Sequence, residues 1–160
     1  MLTEKCKNIA FYILIGCLIV ASIYLVYKYV PIEFFLESDP KIDELLDAVE
    51  PIFQADNYYV GNLEPLNNRD ILNEIKVYKG KKSYTINKKR VFLCLKDKNG
   101  EYYNDNMLIY VFLHELAHVV CDEVGHTQKF HDIFEDILDL AHEKGVRNKN
   151  DPVIQDYCEY

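Results

Sequence analysis

The chain has 160 residues, 49% of them hydrophobic and 28% charged, and a formal net charge of −8. That length allows one modest domain with something attached, and the acidic balance disfavours a nucleic-acid binder of the simple basic kind. The five cysteines contain no C-x-x-C pair; Cys6 and Cys17 lie at or in an N-terminal apolar segment, and Cys94, Cys121 and Cys158 are scattered, which is no disulfide framework and points to a reducing compartment.

Ile9 to Tyr27 form a run of 19 residues without a charge, long enough as a helix to span about 28 Å, close to the hydrocarbon thickness of a bilayer. Lys5 and Lys7 precede it, Lys28 follows it, and tyrosines gather near its C-terminal end, as in an interfacial aromatic belt. A cleaved signal peptide fits less well, because the apolar core is too long and no A-x-A site follows. Leu14-Ile15-Gly16-Cys17 has the look of a lipoprotein box, but the residues after Cys17 stay apolar where a mature lipoprotein turns polar. The segment is expected to be a retained single-pass anchor. Its flanking lysines and the unpaired cysteines argue for opposite orientations, so the side of the membrane that holds the rest of the chain is left open.

The expected organisation is a tail over 1–8, a transmembrane anchor over 9–30, a linker over 31–39 and a domain over 40–160. Asp39-Pro40 reads as the N-cap and first residue of a helix with an apolar stripe at Ile42, Leu45, Leu46, Val49, Ile52 and Phe53, kinked or shortened by Pro51. A loop is expected from Asn57 to Asn68. Short strands follow at Ile75 to Tyr78, Ser83 to Ile86 and Arg90 to Leu95, separated by lysine-rich turns. Lys76 to Lys98 hold nine basic residues and one acid, so the rest of the chain carries about −16. A basic hairpin touching nucleic acid or an acidic substrate is the sharper reading of that run. Polar turns on solvated strands are the plainer one, and are favoured.

Asn104 or Asp105 caps the next helix, which carries the chemistry. His114-Glu115-Leu116-Ala117-His118 has the H-E-x-x-H spacing of zinc-dependent peptidases. Histidines at i and i+4 share one helix face, so both imidazoles can reach one metal, and Glu115 can lean over the open coordination position. From Met107 to Cys121 the residues outside the motif are apolar on every side, which predicts a buried helix; buried ionisable groups need a partner, and a metal supplies one. Gly125 lets the chain reverse, and His126 can then return to the metal while Thr127 caps a last helix with the stripe Phe130, Ile133, Phe134, Ile137, Leu138 and Ala141. His131, Glu135 and Glu143 are the competing third ligands, whereas His142 suits the dipole at its helix end.

The metzincin pattern does not fit, since Cys121 stands where that family has glycine and His126 follows His118 by eight residues rather than six. The run His114 to His118, a short turn and Gly125-His126-x-x-x-Phe130 resembles the WLM and SprT-like metallopeptidases, and the wider stretch from Ile75 to Tyr160 is similar to WLM-type peptidases of large DNA viruses. The resemblance implies an α+β, zincin-like fold with a small sheet, an active-site helix and a C-terminal helix. It implies one Zn2+ held by His114, His118 and His126, Glu115 as catalytic base, and a protein or peptide substrate added to a sheet edge, for which Arg90 to Leu95 is the expected strand. The expected function is a membrane-anchored zinc metallopeptidase in a viral or host membrane. A non-catalytic zinc-containing binding module on the same anchor is the alternative, disfavoured because a structural site needs no base. The DNA- and ubiquitin-binding regions of characterised members of that family are not visible in this sequence. Nothing in the sequence sets the oligomeric state.

Overall fold

The computed structural model describes residues 4–29, 39–54, 57–155 and 157–158. The chain divides into two units, Met1–Leu36 and Glu37–Tyr160. The first is carried by helix α1, Glu4–Tyr29, whose described apolar side chains, such as Phe11, Leu14, Leu18 and Ile23, are exposed. Among the described residues no helix is long and apolar enough to cross a membrane. The segment expected as an anchor over 9–30 is helical through Tyr29. The linker expected over 31–39 lies outside the described residues except for Asp39.

The second unit begins at Asp39, whose carboxylate accepts the Lys41 amide and caps α2, Pro40–Val49. Pro51 has no amide hydrogen to continue the α-helical ladder, and the chain tightens into a 3₁₀ turn over Glu50–Phe53. Ile42, Leu45, Val49, Ile52 and Phe53 are buried as their spacing requires. A second 3₁₀ segment, Gly61–Asn67, occupies the expected loop, and one turn of helix, α3, Ile71–Glu74, leads into the sheet.

The sheet has three strands, β1 (Lys76–Lys79), β2 (Tyr84–Ile86) and β3 (Arg90–Leu93), in the order β1-β3-β2. β3 is parallel to β1 and antiparallel to β2, with Val77 and Thr85 both opposite Val91. β3 is thus the central strand, and its Val91 and Leu93 are buried. This corrects the expectation that Arg90 to Leu95 is an open edge: both sides of β3 are hydrogen-bonded, and β2 is the edge nearest the histidine helix. Alternation along a strand puts Val77, Thr85 and Val91 on one face, and Tyr84 and Phe92 on the other, where their rings stack with centroids 4.6 Å apart. The β2–β3 turn holds Asn87 and Lys88 at positive φ, a conformation suited to tight hairpins that costs a side chain such as lysine about 1–2 kcal/mol. The Lys88 ammonium reaches the Cys121 carbonyl and so ties this turn to the end of the next helix.

Helix α4, Asp105–Val120, is capped by the Asn104 side chain, which accepts the Met107 amide at 2.8 Å. Met107, Leu108, Phe112, Leu113, Leu116 and Ala117 are all buried, so this helix is enclosed on nearly every side, as its composition predicts. Helix α5, Gln128–Glu143, packs against it through Phe130, Ile133, Phe134, Ile137 and Leu140. Leu138, expected in that stripe, is only partly buried.

The cysteines depart from expectation. Cys94, just past β3, is bonded to Cys158, 64 residues away, while Cys121 is free and buried. Two widely separated cysteines carry no spacing signal; packing of the last residues against the end of β3 is what brings them together.

Candidate metal centre

Two elements and the loop between them build the site. α4 presents His114 and His118 one turn apart, and directs Glu115, between them in sequence, toward the sheet. After α4 the chain turns through residues 121–127, with Gly125 at φ 87°, a region that favours glycine, and Thr127 accepts the Phe130 amide to start α5. His126 sits in this return. Its Nε2 lies 3.0 Å from Nε2 of His114 and 3.2 Å from Nε2 of His118.

Three imidazole nitrogens this close make poor mutual partners. Burial holds the His114 imidazole down to about 4, with the positive charge of His118, His126 and His131 acting in the same direction. His118 is lowered too, by burial and then by His126. Near neutral pH these two rings are uncharged, so their lone pairs can face a shared cation. A tetrahedral ion with nitrogens at about 2.0–2.1 Å spaces those nitrogens roughly 3.3–3.4 Å apart, and the observed separations fit that cluster with little adjustment. Among the described residues the group able to hold a metal is His114, His118 and His126. His131 is outside it, its ring centroid 6.2 Å from that of His126, and neither Glu135 nor Glu143 joins it. His142 faces the Arg147 carbonyl at 3.2 Å near the end of α5, away from the cluster.

Aromatic packing fixes the rings. Phe130 stacks on His118 with centroids 4.2 Å apart and meets His114 edge-on at 5.0 Å, and Phe134 meets His114 edge-on at 5.0 Å. The phenylalanine four residues after His126 is therefore a floor for the imidazoles as well as a core residue.

Glu115 is only 4% exposed, and burial pushes its carboxyl up to about 7 against the opposing pull of a hydrogen bond from Thr85. The Thr85 hydroxyl lies 2.8 Å from Oε2 of Glu115 and 3.2 Å from its carbonyl oxygen. A carboxyl group poised near neutrality beside a metal-ligand set is suited to taking and returning a proton. Sequence reasoning missed Thr85; the alternation of β2 was the available signal, but the strand's pairing partner was needed to say which face meets α4.

Two cavities open onto the cluster. One, about 400 Å³, is lined by His114, Glu115, Tyr110 and residues of the C-terminal segment. The other, about 610 Å³, is lined by His118, Thr85, Lys88 and Glu123.

No protein-family model and no solved structure matches the chain. It is 52% identical over 103 residues to the uncharacterized protein 136R of Invertebrate iridescent virus 6, covering 62% of this chain and 58% of that one. It is 44% identical over 100 residues to the uncharacterized protein 042R of Invertebrate iridescent virus 3, covering 62% and 63%. A third relative, the uncharacterized protein R325 of Acanthamoeba polyphaga mimivirus, is 34% identical over 131 residues, covering 75% and 64%. The chain thus spans about three-fifths of the length of these relatives, and all three are viral, as the sequence resemblance implies.

Proposed function

We propose that the chain is a zinc-dependent peptidase, in which His114, His118 and His126 hold one zinc ion and Glu115 is the general base. The supporting observation is the convergence of three ring nitrogens beside a buried carboxyl group. Zinc held there would supply a Lewis acid that brings the loss of water's proton into the neutral range. The chain's own residues do the rest. Thr85 occupies Oε2 of Glu115 and fixes the plane of the carboxylate, leaving Oε1 to take the proton of the attacking water and pass it to the leaving amine. Phe130 and Phe134 hold the imidazoles in place and keep water from the rear of the site. An extended substrate adds to the edge of β2, which has no second neighbour among the described residues.

The likeness to WLM and SprT-like metallopeptidases supports a protein substrate. The uncharged run at 9–27 supports single-pass attachment to a viral or host membrane. Lysines in the turns at both ends of β2 support a weaker contact with nucleic acid, which is read by adding DNA to the cleavage assay.

The test is metal analysis and cleavage of an unfolded protein by wild type and Glu115→Gln. Both should hold one zinc per chain, and the variant should lose about 10²–10⁴-fold in rate. Equal silence of the two, with one tight protein partner captured by both, would make the chain a non-catalytic zinc-containing binding module.

A further inference from the structure

The cavity beside His114 and Glu115 has a wall that belongs to no helix or strand. One side is the surface of α4, with Met107, Tyr110 and Val111; the other is the C-terminal segment, with Val153, Ile154 and Tyr157. Its volume of about 400 Å³ lies within the roughly 300–1,000 Å³ of small-ligand sites, enough for one large side chain and its flanking backbone. Val153 and Ile154 are 39% and 38% exposed although the core lies next to them, so this wall leaves apolar surface in water. Glu115 lines the same cavity, so whatever fills it stands beside the reacting group.

The wall is fastened by side chains at several points. The Ile154 amide points at the Met107 sulfur at 3.4 Å. The Tyr157 hydroxyl donates to the Cys94 carbonyl and lies 3.3 Å from the Ser83 hydroxyl, and the ring packs on Tyr103 with centroids 4.7 Å apart. The Cys158 amide donates to the Tyr103 hydroxyl at 3.1 Å, and the Cys94–Cys158 bond closes the set. A segment with no backbone ladder keeps one position only through such ties, and the covalent one persists when the others open.

We propose that this cavity is the substrate-specificity pocket of the zinc site, taking an apolar or aromatic side chain next to the scissile bond, with its outer wall held in place by Cys94–Cys158. The proposal rests on the peptidase reading for the words "next to the scissile bond". The pocket's preference for apolar side chains is measurable without turnover.

The experiment uses the full chain in lipid nanodiscs, zinc-loaded and carrying Glu115→Gln, and measures binding of capped peptides that differ at one position, Phe or Leu against Asp or Gly. Burying a large apolar side chain is expected to favour the Phe and Leu peptides by roughly ten- to hundredfold. Adding Ile154→Asp, a change at a partly exposed position, should erase most of that preference while zinc content and melting temperature stay as they were. Cys158→Ser should weaken the Phe peptide toward the Gly peptide, because the wall then loses its covalent tie. Equal affinity for all four peptides, no binding at all, or a preference that survives Ile154→Asp would overturn the pocket. Wild-type cleavage is read separately. Apolar binding without cleavage removes the peptidase and leaves the pocket, whereas cleavage indifferent to the varied side chain and to Ile154→Asp removes the pocket and leaves the peptidase.

Discussion

Thr85→Val isolates the one hydrogen bond that the buried carboxyl group receives from the sheet. The substitution keeps the branched shape and removes the hydroxyl, which lies 2.8 Å from Oε2 of Glu115. A hydrogen bond to a charged group contributes about 1.5–3 kcal/mol, and one pKa unit corresponds to about 1.4 kcal/mol, so its loss should raise the Glu115 carboxyl by about one to two units. The direction is fixed by which form is stabilised. The hydroxyl donates to the carboxylate, so removing it disfavours the charged state that burial already opposes. If Glu115 must be ionised to accept a proton, the acid limb of the pH profile of kcat/KM moves upward by that amount, and the rate below the limb falls about ten- to hundredfold. Thr85→Ser restores the hydroxyl and should return the limb most of the way. The measurement is a pH–rate profile of the three proteins, with zinc content checked in each. An unmoved limb in Thr85→Val, with zinc retained, would refute both the role of Thr85 and the assignment of that limb to Glu115.

His126→Ala should drop zinc from about one per chain to a small fraction, read by metal analysis after dialysis; full retention would transfer the third ligand to His131, Glu135 or Glu143. In the metal-free protein His114 is held down to about 4 from 6.5, so its contribution to stability is complete above 6.5 and is lost as pH falls through about 4. Glu115, raised to about 7 from 4.5, runs the other way, its contribution present below 4.5 and lost as pH rises through about 7. Denaturant unfolding of the chelated proteins should therefore show Glu115→Gln gaining more stability than wild type between pH 5 and 6.5. Reduction of Cys94–Cys158 by a phosphine, which does not strip zinc as a dithiol can, should lower unfolding stability by up to about 4 kcal/mol, the chain-entropy value for a loop of 64 residues. An unchanged denaturation midpoint would mean that the C-terminal wall contributes little to the fold.

The histidine cluster was legible because its information is local. His114, Glu115 and His118 lie within one helical turn, and a helix apolar on all sides could only be a buried one. His126 was legible through Gly125 and Thr127, which mark a reversal and a fresh N-cap on either side of it. The three strands and their turns followed from alternation and lysine-rich breaks. Their order did not, because β1 pairs with β3 in parallel and β2 folds back on β3, a choice made by packing against α4. That non-local choice decided which strand is the edge, and placed Thr85 against Glu115. The Cys94–Cys158 pair and the wall at Val153 and Ile154 were illegible for the same reason. They depend on where residues 153–158 come to rest, and the sequence there has neither periodicity nor a capping signal.

The groups of the site make a conflict that a cation would relieve. Glu115 is buried with one hydroxyl as a partner, and Nε2 of His126 lies within hydrogen-bond distance of Nε2 of both His114 and His118. In a metal-free chain the buried carboxyl lowers stability, since a buried polar group without adequate pairing costs about 1–3 kcal/mol. Side chains kept only for packing would be better replaced by leucine or phenylalanine, which the rest of α4 uses freely. A structural ion would account for the three histidines, but Glu115 is not a member of that cluster. It is turned toward Thr85 and toward an open cavity, so its burial is relieved by neither the core nor the ligand set. A carboxyl group with that placement is costly as structure and useful as a base, and it is this residue, more than the histidines, that favours an enzyme over a binding module.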